Sequence, residues 1–319
     1  MNKRIIFSLV ILFIVSFVYF IITNKSTQKA SATTISQQIT SQAWSDNIGW
    51  IDFVQSSIVG TGLGGNLQDW AWSDNIGWIK LSLGGPYPLG ISGLANLRDD
   101  NGDGIGEVTG GIRACAGAEN IDCSGNANPK SGGWDGWIKM DGVSVDLETG
   151  KFSGFAWGSD VVGWISFNRK DCDINENGIF EGASEGAPTG CPSSGTAYDY
   201  FVKKDVINNL PINLKANNTA GSITINSGDT ANISWALASP YDATKCYPLS
   251  GEANWQSQII KINNQLPLGI YTTPSLSSDT TYQLKCVGIL GWGIESVNVN
   301  IEPPPGFSLS LSTSTIKAI

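Results

Sequence analysis

The sequence predicts an all-β chain: a Trp-rich antiparallel β-repeat domain, then an Ig-like β-sandwich, with an N-terminal transmembrane or signal helix. Three observations carry this. The string AWSDNIGWI stands at residues 43–51 and again at 71–79, with a looser copy, AWGSDVVGWISF, at 156–167 and a shortened one, GWDGWIKM, at 133–140. The spacing is regular: 28 residues separate Trp44 from Trp72 and Trp50 from Trp78, 27 separate Trp137 from Trp164, and the 59 between Trp78 and Trp137 span about two periods. One supersecondary unit is therefore used several times. Composition agrees, since 38 Gly, 12 Trp and only 15% charged residues describe a turn-rich chain with aromatic cores. Beyond about residue 208, short alternating runs at sandwich-like spacing replace the repeats.

At the N-terminus, Lys3 and Arg4 precede an uncharged apolar run of 18 residues, 5–22, at the lower limit for spanning a bilayer. Residues 1–23 read as a signal anchor or a signal peptide. Ala30-Ser31-Ala32 has the small side chains of a cleavage site but stands eight residues beyond the run. A type IV pilin leader is a third reading, which lacks the Glu expected early in the run. Each reading exports the remainder, as a single-pass membrane protein with extracytoplasmic domains or as a secreted one. Six cysteines suit that compartment and fall as local pairs: Cys115 with Cys123, Cys172 with Cys191, and Cys246 with Cys286. Sequence alone leaves the connectivity open among 15 possibilities.

Residues 24–42 are rich in Ser, Thr and Gln and read as a spacer. The repeat domain follows at 43–206, each unit a hairpin plus a connecting strand. In the clearest copy, 143–147 alternates as a strand, 148–150 turns, 152–157 is a second strand, 158–161 turns and 163–167 is a third. Ser-Asp-Asn tips cap turns, and the Gly before the second Trp allows close approach of a facing ring. Tryptophans on paired strands are expected to stack from unit to unit and to supply most of the buried area. The third copy is interrupted. Residues 110–115 take the place of its first strand, with Cys115 where Trp is expected, and an insert carrying Cys123 projects as a small disulfide loop.

From 207 to 302, alternating runs at 222–225, 230–237, 258–262, 280–286 and 296–301 predict the sandwich. Trp235, Cys246 and Cys286 supply the aromatic and cysteine pair of an Ig-like core. Trp235 precedes both cysteines, so the order departs from the antibody pattern. Pro303-Pro304-Pro305 is a stiff linker, and 307–319 alternates like the first strand of a truncated further domain.

The strings AWSDNIGWI, RACAG…DCSG…GWDGWI and FSGFAWGSDVVGWISF resemble repeats in uncharacterised exported bacterial surface proteins, and SGDTANISWALAS…ATKC…NWQSQ…SSDTTYQLKC is similar to the Ig-like modules that often follow them. The resemblance covers roughly 43–302 and implies a multidomain cell-surface architecture. It carries no activity and no catalytic residues.

The chemistry is bounded first by exclusion. The chain has no histidine, which removes Ser-His-Asp and Cys-His catalysis and imidazole metal sites. Its net charge of -9 repels phosphate backbones, so nucleic acid is not an expected partner. Two acidic loops share the template D-x-N-x-[DN]-G-I-x-E: Asp99, Asn101, Asp103, Ile105 and Glu107 in one, Asp173, Asn175, Asn177, Ile179 and Glu181 in the other. Oxygens at positions 1, 3 and 5, a Gly at 6 and a carbonyl at 7 suit calcium. The closing Glu of an EF-hand is missing: Gly110 and Ser184 stand at position 12. A solvated Asx-rich turn is the alternative. The Trp array could also stack on sugar rings, if it is exposed. Asp46, Asp74, Asp135 and Asp160 could pair as glycosidase carboxylates, but their recurrence at turn tips points to turn chemistry. The expectation is a non-enzymatic, calcium- and disulfide-stabilised surface protein of structural or adhesive role, meeting a glycan, cell-surface polymer or protein and attached through its N-terminal helix. The alternative is a carbohydrate-binding module or an accessory part of a carbohydrate-active enzyme.

Overall fold

The computed structural model describes residues 34–237, 241–257, 260–261 and 269–302. The apolar run at 5–22 and the Pro-linked segment 303–319 lie outside the described residues. Among the described residues no helix is long and apolar enough to cross a membrane.

The repeats build eight staves that run alternately up and down. They are β1 (Ile35–Thr40) continuing into β2 (Gln42–Ser45); β3 (Gly49–Asp52) into β4 (Ser56–Thr61); the unbroken β5 (Gly64–Ser73); and β6 (Gly77–Lys80) with β7 (Asn96–Arg98). Then come β8 (Ile105–Thr109) into β9 (Gly111–Ala114); β10 (Trp137–Lys139) into β11 (Val143–Asp146); the unbroken β12 (Phe152–Trp157); and β13 (Trp164–Ser166) with β14 (Lys203–Lys204). At the hairpin end, β2, β3, β5, β6, β9, β10, β12 and β13 form a closed antiparallel ring, because β13 pairs with β2 and β10 with β12. At the other end β1, β4, β5, β7, β8, β11 and β12 pair in the matching order, and β14 closes the set through β1 and a Lys151–Lys203 bridge. The fold is an eight-stranded up-and-down barrel, which leaves no open sheet edge. Its first stave begins inside the stretch that reads as spacer. Alternation in Ile35–Thr40 turns Gln37 and Ile39 inward, so that segment is strand.

The hairpin register explains the repeated string. Ala43 faces Ile51, Ala71 faces Ile79 and Ala156 faces Ile165, all pointing into the barrel and all buried. Further along, Ile39, Ile58, Leu67, Leu97, Val108, Val145 and Phe152 fill the same interior. The tryptophans alternate with these residues and therefore stand outside. Trp72, Trp78, Trp157 and Trp164 are 39%, 41%, 37% and 37% exposed. This overturns the expectation that stacked Trp makes the core. An eight-stranded barrel has room for side chains only one layer deep, and a small Ala opposite an Ile fills it where two indoles cannot. The tips are chained by their asparagines: Asn75 Nδ2 donates to the Ile48 carbonyl at 3.0 Å, and Asn47 Nδ2 to the Asp160 carbonyl at 3.0 Å.

The expected boundaries in the clearest copy hold to within a residue or two, and its second turn closes as a single helical turn, Ser159–Val162. Midway along β12 the chain passes from one ring to the other at Gly154, whose φ is +84°. A Cβ there would lie 2.1 Å from the Gly142 carbonyl oxygen. Gly154→Ala is expected to destabilise the barrel by about 2–4 kcal/mol, from the left-handed backbone and the clash together. Denaturant unfolding reads it, and a loss under about 1 kcal/mol would contradict this account.

Two further sheets follow. One joins β15 (Ile212–Ala216), β17 (Asn232–Leu237) and β20 (Gly269–Thr272); the other joins β16 (Ser222–Asn226), β22 (Gly291–Glu302), β21 (Thr280–Gly288), β18 (Lys245–Ser250) and β19 (Ile260–Lys261). The pairing of β16 with β22 is parallel. Leu214, Ile233 and Trp235 from the first sheet meet Cys246, Tyr282, Leu284 and Val299 from the second in one core, with Trp255 between. Of the strand expected at 258–262, Ile260–Lys261 is described and the rest lies outside the described residues. Val287 and Ile289 join the barrel core. Glu148 adds a polar hub, taking Lys285 Nζ at 2.6 Å and the Tyr247 hydroxyl at 3.1 Å, while its carbonyl accepts from Trp292 Nε1 at 3.2 Å. All three cysteine pairs are disulfides as expected.

Candidate functional site

Alternation places an aromatic pair on the outer wall of three of the four hairpins and a tryptophan–arginine pair on the other, and what covers each pair decides its use. In the β2–β3 hairpin, Trp44 and Trp50 meet edge-to-face with centroids 4.8 Å apart. Tyr200 and Tyr198, from the segment after β13, pack against Trp50 at 5.5 and 6.3 Å. In the β9–β10 hairpin, Trp137 faces Arg113 across the ladder, and Tyr87 covers its ring at 5.3 Å. Here sequence reasoning misplaced the substitution: Arg113, two residues before Cys115, occupies the register of the missing tryptophan. The guanidinium lies 5.3 Å over the Trp137 ring.

The remaining two hairpins are open, and each forms a cleft. Trp72 and Trp78 stand 4.9 Å apart with Trp70 beside Trp78 at 6.1 Å. Asp52, Val54 and Gln55 complete a concavity of about 210 Å³ around them. The Trp72 indole is held by its own hairpin tip, since Nε1 donates to Asp74 Oδ1 at 2.9 Å. Lys80 Nζ sits 5.1 Å over the Trp70 ring. In the other cleft, Trp157 and Trp164 stand 4.8 Å apart, and Phe155, Lys139, Asp141 and Gly142 line a concavity of about 500 Å³. Lys139 and Asp141 pair at 3.2 Å along its rim.

The two clefts are built alike. Asp52 is the ladder partner of Trp72, and Lys139 that of Trp157. Each therefore sets half-exposed indole faces beside a charged side chain from the neighbouring stave. Such a face packs on a flat apolar surface, and the rim exchanges hydrogen bonds with hydroxyls. A larger concavity, about 640 Å³, lies against β15 and β17 beside Trp235, Lys215 and Asn213. Trp235 is buried, so no aromatic platform is offered there.

The segment between β13 and β14 is a flap pinned by Cys172–Cys191 and by a polar centre at its base. Tyr200 donates to Ser166 Oγ at 2.8 Å, and Asp171 accepts from the Gly154 and Asn168 amides at 2.9 and 3.1 Å. Burial pushes the Asp171 carboxyl up to about 6, against those hydrogen bonds, and the Tyr200 hydroxyl up to about 12.

Of the acidic residues expected to bind calcium, the structure places two sets far apart in character. Asp99 is buried and fully engaged: Oδ1 accepts from Gly102 N at 2.7 Å and Asp103 N at 3.2 Å, while Oδ2 accepts from Gly104 N at 3.1 Å and the Thr244 hydroxyl at 2.6 Å. Asn101 donates to Asp103 at 3.0 Å, and Asp103 takes the Ile105 amide at 2.8 Å. Burial lifts the Glu107 carboxyl above its usual range, with Asp103, Asp99 and Asp100 adding to the effect. Asp173 is also buried, but only its Oδ2 is engaged, by Gly178 N at 3.1 Å and Arg169 Nε at 3.5 Å. Asn175 donates to Glu181 at 3.0 Å, and Asn177 takes the Ile179 amide at 2.8 Å. Sequence reasoning missed Glu185, whose Oε2 accepts from Ile174 N at 3.0 Å and Oε1 from Glu181 N at 2.8 Å. It stands at position 13 of the template, one beyond the place an EF-hand uses. Among the described residues no three His, Cys, Asp or Glu side chains converge as a ready-made metal cage.

Asp135 caps its own turn by accepting from Trp137 N at 3.1 Å, and Asp74 holds an indole, so these carboxylates serve the hairpin tips. Compared with protein-family models and with curated proteins, the chain matches none.

Proposed function

We propose that the barrel is the glycan-binding part of an exported surface protein whose role is adhesion. The observation that carries this is the outward display of Trp72 with Trp78, and of Trp157 with Trp164, each pair beside a charged rim. Half-exposed indoles cost solvation on a free surface, and paired exposed aromatics rimmed by polar groups mark binding surfaces. Sugar rings match them, with apolar C–H faces for the indoles and hydroxyls for Asp52, Gln55, Lys139 and Asp141. Two alike clefts on one barrel suit a repeating polymer, since two sites on one ligand multiply affinity. Three disulfides suit an oxidising location outside the cytoplasm. In this reading residues 1–23 export or anchor the chain, and 207–302 is an Ig-like sandwich that presents the barrel, with the Cys246–Cys286 bridge and Trp235 in its core.

A glycan array on the chain from residue 33 onward tests the proposal. Binding to a defined polysaccharide is expected, weakened about tenfold in Trp78→Ala and again in Trp157→Ala, or ~1.4 kcal/mol for each lost platform. Silence across the array would sink it, as would binding that ignores both substitutions.

A further inference from the structure

The two acidic loops share a template but not a state of satisfaction. A buried carboxylate oxygen without a hydrogen-bond partner is costly, and native folds avoid it unless water or an ion supplies the missing contact. Asp173 Oδ1 is such an atom: its side chain is wholly buried and that oxygen has no partner. The carboxylate is held against the loop backbone, because its other oxygen accepts from Gly178 N, at the sixth position. Arg169 reaches only that other oxygen. Asn175, Asn177, Glu181 and Glu185 lie on the same loop, and between 169 and 185 five carboxylates stand against two cations, one of which, Lys170, is paired to Glu176 at 2.7 Å. The excess is negative, and the unmatched oxygen belongs to Asp173, the buried carboxylate among the five.

We infer that residues 173–185 form a divalent-cation site, with Asp173 Oδ1 as the anchoring oxygen, Asn175 and Asn177 as amide donors, the Ile179 carbonyl as a backbone donor and Glu185 as the closing carboxylate. Calcium is the ion whose preference for mixed carboxylate, amide and carbonyl oxygens this set fits. Two carboxylates with neutral donors make a weak site of the extracellular type, with Kd on the order of 10⁻⁴ M. The 99–107 loop differs, since both Asp99 oxygens are filled by amides and by Thr244; it joins the barrel to β18. The cation would brace the flap that covers Trp44 and Trp50, because Phe180 packs with Cys172 and Tyr200 beneath those rings. The inference stands apart from the glycan reading, and either can fail alone.

Calorimetric titration of the full chain with calcium chloride tests it, with thermal melting in calcium and in chelator as the second readout. One ion per chain and a higher melting temperature in calcium are expected. Glu185→Gln removes the charge and one of the two oxygens that accept from Ile174 N and Glu181 N; it is expected to weaken binding at least tenfold and to shrink the calcium-induced rise in melting temperature, whatever it does to the value in chelator. Asp173→Asn is expected to abolish binding, and Asp99→Asn to leave it intact. Absence of calcium heat in the native chain would overturn the inference. So would binding that survives Glu185→Gln undiminished, or binding that disappears with Asp99→Asn.

Discussion

Arg113→Ala is expected to destabilise the barrel by about 3–5 kcal/mol, a larger loss than a surface cation explains. The guanidinium is 3% exposed and holds four carbonyls: Nε donates to Asp135 at 2.7 Å, one Nη to Cys123 at 3.0 Å and Gly125 at 2.8 Å, and the other to Asn126 at 3.0 Å. Three of the four belong to the insert that interrupts the third hairpin, and Asp135 stands at the turn where the hairpin resumes. Burial pulls the Arg113 pKa down, with Asp135 partly opposing, and the buried cation is tolerated because these acceptors replace its water. Alanine leaves the carbonyls without a donor along a segment that the Cys115–Cys123 bridge fixes at one end. Arg113→Lys is expected to recover little, since an ammonium cannot fan across acceptors spread along a planar fork. Denaturant midpoints measure the loss, and amide exchange should rise across residues 115–135 before it rises in β5. A loss below about 1 kcal/mol, or a full recovery with lysine, would show that the insert folds without the arginine.

The arginine was hard to foresee for a reason that applies to the whole barrel. Local order was legible: the hairpins, the three disulfides and the strand boundaries around β12 all follow from alternation, turn residues and spacing. What alternation does not carry is which side of a strand faces in. The strings A-W-S and G-W-I satisfy a period of two either way, and ranking residues by hydrophobicity puts Trp inside. Ring closure reverses that ranking, because eight staves enclose too little space for indoles. Closure itself depends on β13 meeting β2 at one end and on β14, a two-residue strand, meeting β1 at the other, partners far apart in sequence, and no local pattern announces it. The acidic loops make the same point. Their templates match, yet Thr244, distant in sequence, fills one oxygen of Asp99, while Asp173 gains no such partner. Aligning Cys115 with Trp failed because the ladder, not the Ala-x string, sets the register.

Lys204→Met is expected to stabilise the protein at neutral pH and to lose that advantage in alkali. Lys204 is fully buried where β14 meets β1; its Nζ donates to the Asp205 carbonyl at 3.2 Å and lies 3.4 Å from Gln37 Oε1. Burial pulls its pKa down to about 7, the nearby Asp205 and Asp146 opposing with smaller effect. The unfolded chain holds this proton up to about pH 10.4, so between roughly 7 and 10 the unfolded state binds more protons than the fold. Stability then rises with pH across that window, and below it the buried ammonium imposes its full cost, of order 4 kcal/mol. Methionine removes the charge but strips Gln37 Oε1 of its donor, at about 1–3 kcal/mol. Gln37 itself stays fixed, since its Nε2 donates to the Asp205 and Leu290 carbonyls at 2.7 Å each. The balance is a gain of about 1–3 kcal/mol near pH 7, shrinking to zero or reversing near pH 10 as the neutral amine in the native chain ceases to cost anything. Urea unfolding of both proteins at those two pH values decides it. A difference that stays constant with pH would mean that Lys204 keeps its proton in the fold, and that the carboxylates outweigh its burial.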